Sequence, residues 1–195
     1  MKRLITMLMA LVMLLSLAAC GGNSGNAAGS STETPVAVAE SAVEILEKVW
    51  ATYGENEMFF AMGGGYENMV DNAPGSVDMA DVDSLTYLAY LPESAAGLVD
   101  DAATLIHAMN ANTFTGTVFH VADAANVSSV VDALKDNIMN TQWMCGFPDK
   151  LMIAVVGEDY IVSAFGNAEI MDNFQAKLTE QYGQAVTVTV EENLA

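Results

Sequence analysis

Three kinds of side chain in this chain are equipped for chemistry: two histidines, two cysteines and a run of aspartates. If the stretch between His107 and His120 folds as a hairpin, the two imidazoles can face each other and hold a metal with a third ligand. Two histidines without a Cys, Asp or Glu at fixed spacing are a sparse ligand set, and satisfied core or surface histidines are the commoner outcome. They stand as the candidate ligand-binding residues. Cys145 with His107 or His120 can form a nucleophile-and-base pair, and a thiol- or His-dependent hydrolase is the enzyme reading that pair allows. Its neighbours Trp143 and Met144 are apolar and no base lies near it in sequence, so a buried structural cysteine is expected instead. Asp78, Asp81 and Asp83 crowd one irregular stretch, as calcium ligands do. Their spacing is not that of an EF-hand, and solvated loop acids are the simpler reading; the alternative is a calcium-stabilised structural or adhesive module. Gly63-Gly64-Gly65 lacks the downstream Lys-Ser/Thr of a phosphate loop and reads as a turn. The methionines on apolar stretches, Met58, Met62, Met109, Met139, Met144, Met152 and Met171, are expected to fill core space. No catalytic residue and no cofactor is assigned.

Cys20 is the exception, because its surroundings specify its chemistry. Lys2 and Arg3 precede an apolar run from Leu4 to Leu17, and Leu17-Ala18-Ala19 leads into the cysteine. This is the build of a lipoprotein signal, with Cys20 as the lipidated residue. The run is shorter than the roughly 20 residues a membrane-spanning helix needs. The expected organisation is a signal over 1–19, a lipidated cysteine and flexible Gly/Ser/Asn/Ala-rich tether over 20–35, and one globular domain over 36–195. The expected location is the outer face of the cytoplasmic membrane, held there by the lipid on Cys20. Cys145 is then the only free thiol, so an intrachain disulfide is excluded.

Composition narrows the partners. Without the signal, 25 carboxylates stand against Lys48, Lys135, Lys150 and Lys177, a formal charge of −21 with no arginine. Nucleic acid, which is bound by Lys and Arg on phosphates, is excluded as a partner. An anionic lipid surface repels such a body. What remains is another envelope protein or a cationic ligand. The chain is too apolar for a disordered acidic tail, and a domain of its length buries enough surface for a core without staples.

The elements follow from period and punctuation. A first helix is expected from near Pro35, capped by Thr34 and ended by Gly54, with Ala42, Ile45, Leu46, Val49, Trp50 and Tyr53 inward. Met58–Met62 reads as a buried strand, residues 63–85 as loop, and Leu85–Leu91 as a strand closed by Pro92. Residues 98–110 fit either a helix or a strand; with the turn at Asn110–Thr113 and a strand at Thr117–Val121, a hairpin is preferred. Asn126 caps a helix with the stripe Val127, Val130, Val131, Leu134 and Ile138. Leu151–Val156 and Tyr160–Phe165 form a hairpin over Gly157-Glu158-Asp159. Asn167 starts a last helix with Ile170, Met171, Phe174, Leu178 and Tyr182 inward, and Val186, Val188 and Val190 alternate in a half-buried strand. The later part thus reads β-α-β-β-α-β. The fold class is α+β: a two-layer sandwich, mostly antiparallel, with helices packed on one face.

Three features together resemble a family of lipoproteins of clostridia-type Gram-positive bacteria, defined only as a domain of unknown function. They are Asp100-Asp101-Ala102-Ala103-Thr104-Leu105-Ile106-His107-Ala108-Met109-Asn110, then Thr117-Val118-Phe119-His120-Val121, and the helix, apolar hairpin and helix that follow. The resemblance covers most of residues 40–183. It implies an extracytoplasmic α+β domain on a lipid tether and carries no catalytic residues over.

Overall fold

The computed structural model describes residues 38–195. The signal and the lipobox cysteine, Thr34 and Pro35 all lie outside the described residues. The fold is α+β, built on one antiparallel eight-stranded sheet. The strands are β1 (Ala61–Gly63), β2 (Val70–Asp71), β3 (Gly75–Val77), β4 (Val99–His107), β5 (Phe114–Val121), β6 (Lys150–Val156), β7 (Tyr160–Gly166) and β8 (Val186–Asn193). Their order is β2-β1-β4-β5-β7-β6-β8, with β3 also paired to β4. The helices are α1 (Ala42–Trp50), the four-residue α2 (Glu93–Ala96), α3 (Val127–Met139) and α4 (Ala168–Tyr182).

The expected β-α-β-β-α-β is present as β5-α3-β6-β7-α4-β8. Each crossover skips one strand: β7 lies between β5 and β6, and β6 between β7 and β8. The helices divide between the two faces rather than sharing one. Ile45, Leu46 and Val49 of α1 and Met171, Phe174 and Leu178 of α4 pack with Phe114, Met152, Ala154 and Val162. On the opposite face, Val130, Val131, Leu134 and Ile138 of α3 pack with Phe119, Leu151, Ile153, Ile161 and Phe165. Chirality accounts for this. Both crossovers move two places the same way along the sheet, but β5 and β7 run in opposite directions. Right-handed connections then require helices on opposite faces. The same demand explains why Leu151–Val156 is apolar without interruption, since a strand covered on both sides has no solvent face. Phe114, Phe119, Phe165 and Phe174 are fully buried in the two cores, each side chain contributing about 1.5–3 kcal/mol by its removal from water.

Several elements depart from expectation. The first helix begins at Ala42, where the Ser41 hydroxyl accepts from Glu44 N, and it ends at Trp50 before Gly54 is reached. Of Met58–Met62 only the end is strand, and Met58 and Phe60 are exposed. The irregular stretch 63–85 contains β2 and β3. Leu85–Leu91 is not a strand: Ser84–Leu88 coils into a π-helical turn that buries Leu85, Ala89 and Leu91 and exposes Tyr87. The stretch 98–110 contains β4, which does form a hairpin with β5. The Asn126 side chain makes no capping bond; Asp123 accepts from Ala125 N instead. β8 carries a bulge. Ala154 pairs with Val188 and Ile153 with Val190, leaving Thr189 extra, so Val190 is buried on the α3 face while Val188 is exposed.

Candidate functional site

The two histidines end up at opposite ends of the sheet. In the β4–β5 register Asp101 faces His120, and Ile106 faces Thr115 beside the hairpin turn. Six residue steps along β4 from Asp101 to His107, at about 3.4 Å each, place His107 and His120 too far apart to share a ligand. His107 stacks on Phe59 with ring centroids 5.5 Å apart. Its Nδ1 accepts from Met109 N at 3.3 Å and Asn110 N at 3.4 Å. Both donors belong to the turn that follows β4, so the His107 ring is engaged with its own turn.

Cys145 is exposed, not buried. It sits in the loop before β6 with φ 64°, and that loop is tied to the hairpin turn by side-chain amides. Asn110 Nδ2 donates to Cys145 O at 3.1 Å, and Asn112 Nδ2 donates to Met144 O and Gly146 O. Met109 and Met144 are 77% and 80% exposed here, with Phe147 also exposed. Of the seven methionines expected in the core, only Met152 and Met171 are buried in it. The two stretches that meet here, 102–122 and 137–148, carry no Asp, Glu, Lys or Arg, while Asp149 and Lys150 lie beside them at the start of β6. Cys145 and His120 lie at opposite ends and cannot act together.

The other end is acidic. His120 Nδ1 lies 2.5 Å from Asp100 Oδ1, and its Nε2 3.4 Å from Asp159 Oδ2. The ring packs 4.8 Å from that of Tyr160, whose hydroxyl donates to Ala39 O. Burial works against the imidazolium and is the largest single influence on it. The hydrogen bond and charge of Asp100, joined by Asp159, outweigh burial and raise the His120 pKa. Burial raises the pKa of Tyr160 as well, helped by Asp101, Asp159, Glu44 and Asp100. Asp101 accepts from Ala42 N at 2.7 Å, placing a carboxylate at the start of α1. Asp100, Asp159 and Tyr160 were not singled out from sequence; only the β4–β5–β7 register brings them to His120.

Asp78, Asp81 and Asp83 do not converge. Asp78 accepts from Ala80 N. Asp81 accepts from the Ser84 hydroxyl and from Ser84 N, and these bonds lower its pKa. Asp83 is exposed. The Ser84 hydroxyl also accepts from Tyr66 N, so Asp81 serves the turn around the π-helix and Asp78 the turn before it, while the Asp83 side chain makes no capping bond. Among the described residues no group of three or more metal-ligating side chains is assembled.

No family model, curated protein or solved structure matches this chain.

One cleft of about 220 Å³ lies between α4 and the edge of the sheet. Met152 and Met171, both buried, line it with Leu151, and Lys150, Gln175, Glu191, Glu192 and Asn193 complete its wall. Lys150 is bonded to Asp172 at 2.5 Å and Glu192 to Lys135 at 2.7 Å. No ion-pair partner is present for Glu191 among the described residues. The remaining lysines are paired as well, Lys48 with Glu44 and Lys177 with Glu57. Every lysine of residues 38–195 therefore has a carboxylate partner, while most carboxylates have no cation.

Proposed function

We propose that the chain is an exported, lipid-anchored binding domain, non-enzymatic, held on the outer face of the cytoplasmic membrane and engaging a cationic partner. The observation that carries this reading is the charge accounting. All four lysines are spent in ion pairs. The excess carboxylates have nothing within the domain to balance them, and such a body draws cations and basic partners toward it. The acidic cluster around His120 and the unpaired Glu191 are two places where that excess collects. The address rests on the signal-like segment ending at Cys20 and on the Gly/Ser-rich tether after it. Because one acyl chain binds membranes only reversibly, stable retention needs the two chains of a diacylglycerol on Cys20. The test is fractionation of cells making the Cys20→Ser variant. The variant is expected in the soluble fraction or as an unprocessed precursor. Processing and membrane retention equal to wild type would overturn the anchor.

A further inference from the structure

We propose that the outer edge of β8 takes up an extended, lysine- or arginine-bearing peptide as an added strand. The inference deepens the cationic-partner reading and rests on it.

β8 bonds to β6 along one side, and among the described residues nothing pairs with its other side. Such an edge presents a row of free N–H and C=O groups, the template for β-strand addition. Natural sheets blunt an exposed edge with lysines, proline, a bulge or a very short strand. The opposite edge, β2, is only two residues long. β8 is eight residues long with no lysine or proline, and its bulge at Thr189 interrupts only its middle. Val190–Asn193 therefore remains a regular paired segment whose outer side is open.

Charge selects the occupant. Glu191, without an ion-pair partner among the described residues, and Glu192, already held by Lys135, lie in this segment, so Glu191 carries the attraction. A second copy pairing here would bring its own acidic strand and a net negative body against this one, and anionic lipid is repelled in the same way. A basic strand is attracted.

The cleft supplies the side-chain recognition. Glu191 pairs with Met152, so its side chain lies on the α1/α4 face where the cleft opens. A strand added to β8 runs about 4.8 Å beyond it. A lysine or arginine on that face of the added strand places its cation at Glu191, the neighbouring residue on β8. Its methylene stem then lies along β8, as long basic side chains lay their apolar part on a neighbouring surface while the charge stays in water. Gln175 and Asn193 offer amide oxygens to the remaining donors.

The test uses residues 36–195, which contain both cores and all eight strands. The probe is a fluorescein-labelled octapeptide alternating Thr and Lys, followed by anisotropy and by amide NMR shifts. The expected result is binding that weakens with salt, with shifts confined to Val186–Leu194, Met171 and Gln175. Glu191→Lys is expected to weaken it at least tenfold, while Glu93→Lys on the other face, an equal change in charge, leaves it nearly unaltered. The Thr-Glu peptide is expected not to bind. Three results each overturn the proposal: no binding of the Thr-Lys peptide, equal binding when its lysine amides are N-methylated, or shifts centred on Asp100 and Asp159. Each would be distinct from failure of the anchor, which fractionation of Cys20→Ser reads separately.

Discussion

His120 is a side chain whose charge state the fold visibly manages. Asp100 and Asp159 face its two nitrogens, Tyr160 covers its ring, and Asp101 and Glu44 lie near Tyr160. Its folded pKa is raised above the unfolded value of about 6.5. The sign follows from linkage. The folded state holds the proton more tightly, so the stabilisation is fully present below pH 6.5 and is lost as pH rises through the folded pKa. Wild type is therefore expected to lose melting temperature above pH 6.5 relative to His120→Gln, and the two curves converge at alkaline pH. Parallel curves would show that the imidazole is not coupled to the two aspartates. Cys145 invites a simpler measurement. It is exposed and is the only thiol of residues 36–195, so the native domain should react with one equivalent of a thiol reagent without denaturant. Reaction only after unfolding would restore the buried cysteine that its apolar neighbours suggest. That misreading has a physical origin: Trp143 does pack, 5.0 Å from Phe165, but the backbone turns left-handed at Cys145 and carries Met144 and Cys145 outward. His120 was legible as a residue and not as a site, because its partners come from β4 and the β6–β7 turn through sheet register.

At the scale of elements, long periodic stretches were readable and short or glycine-rich ones were not. The α3 stripe and the β6–β7 hairpin lie where their apolar spacing puts them. Leu85–Leu91 misled because a short apolar run fits a strand and a helical turn equally well. The Thr189 bulge is invisible in Val-Thr-Val-Thr-Val, whose strict alternation implies one face. The triple glycine is explained by close approach rather than by phosphate. A Cβ on Gly63 would lie 2.3 Å from Gly75 N, and one on Gly75 would lie 2.6 Å from Gly64 N. The two backbones touch there, and neither can retreat without breaking the pairing of β1 and β3 with β4. Gly75→Ala should cost about 2–4 kcal/mol, within the range for overpacking and backbone strain. Gly97 ends α2 at φ −77° with open space around it. Gly97→Ala should stabilise by about 0.4–1 kcal/mol, through loss of freedom in the unfolded chain. Urea midpoints read both, and equal effects from the two substitutions would refute the contact argument.

Charge and exposed apolar side chains are spread unevenly over the described residues. One end of the sheet holds Met109, Met144, Cys145 and Phe147 in two charge-free stretches, and the other gathers Asp100, Asp101 and Asp159 around His120. Excess negative charge has a cost in the folded state, where carboxylates are held closer together than in the unfolded chain. Salt acts on two opposed contributions. It weakens the lysine ion pairs, of which there are four, exposed or half-buried. Such pairs are each worth only about 0–1 kcal/mol. It also screens repulsion among the many carboxylates without a lysine partner, with a Debye length falling from about 30 Å at 0.01 M to about 3 Å at 1 M. Repulsion involves many more pairs than attraction does, so screening it should win. The urea midpoint of residues 36–195 is expected to rise as sodium chloride increases from 0.01 to 0.5 M, with an unchanged slope. Sodium sulfate strengthens burial by exclusion from the surface, so chloride is the appropriate anion. A midpoint that falls with chloride would mean that the four ion pairs, and not the unbalanced carboxylates, dominate the electrostatics of the fold. The attraction for a basic strand at β8 would then have to come from Glu191 and its cleft alone.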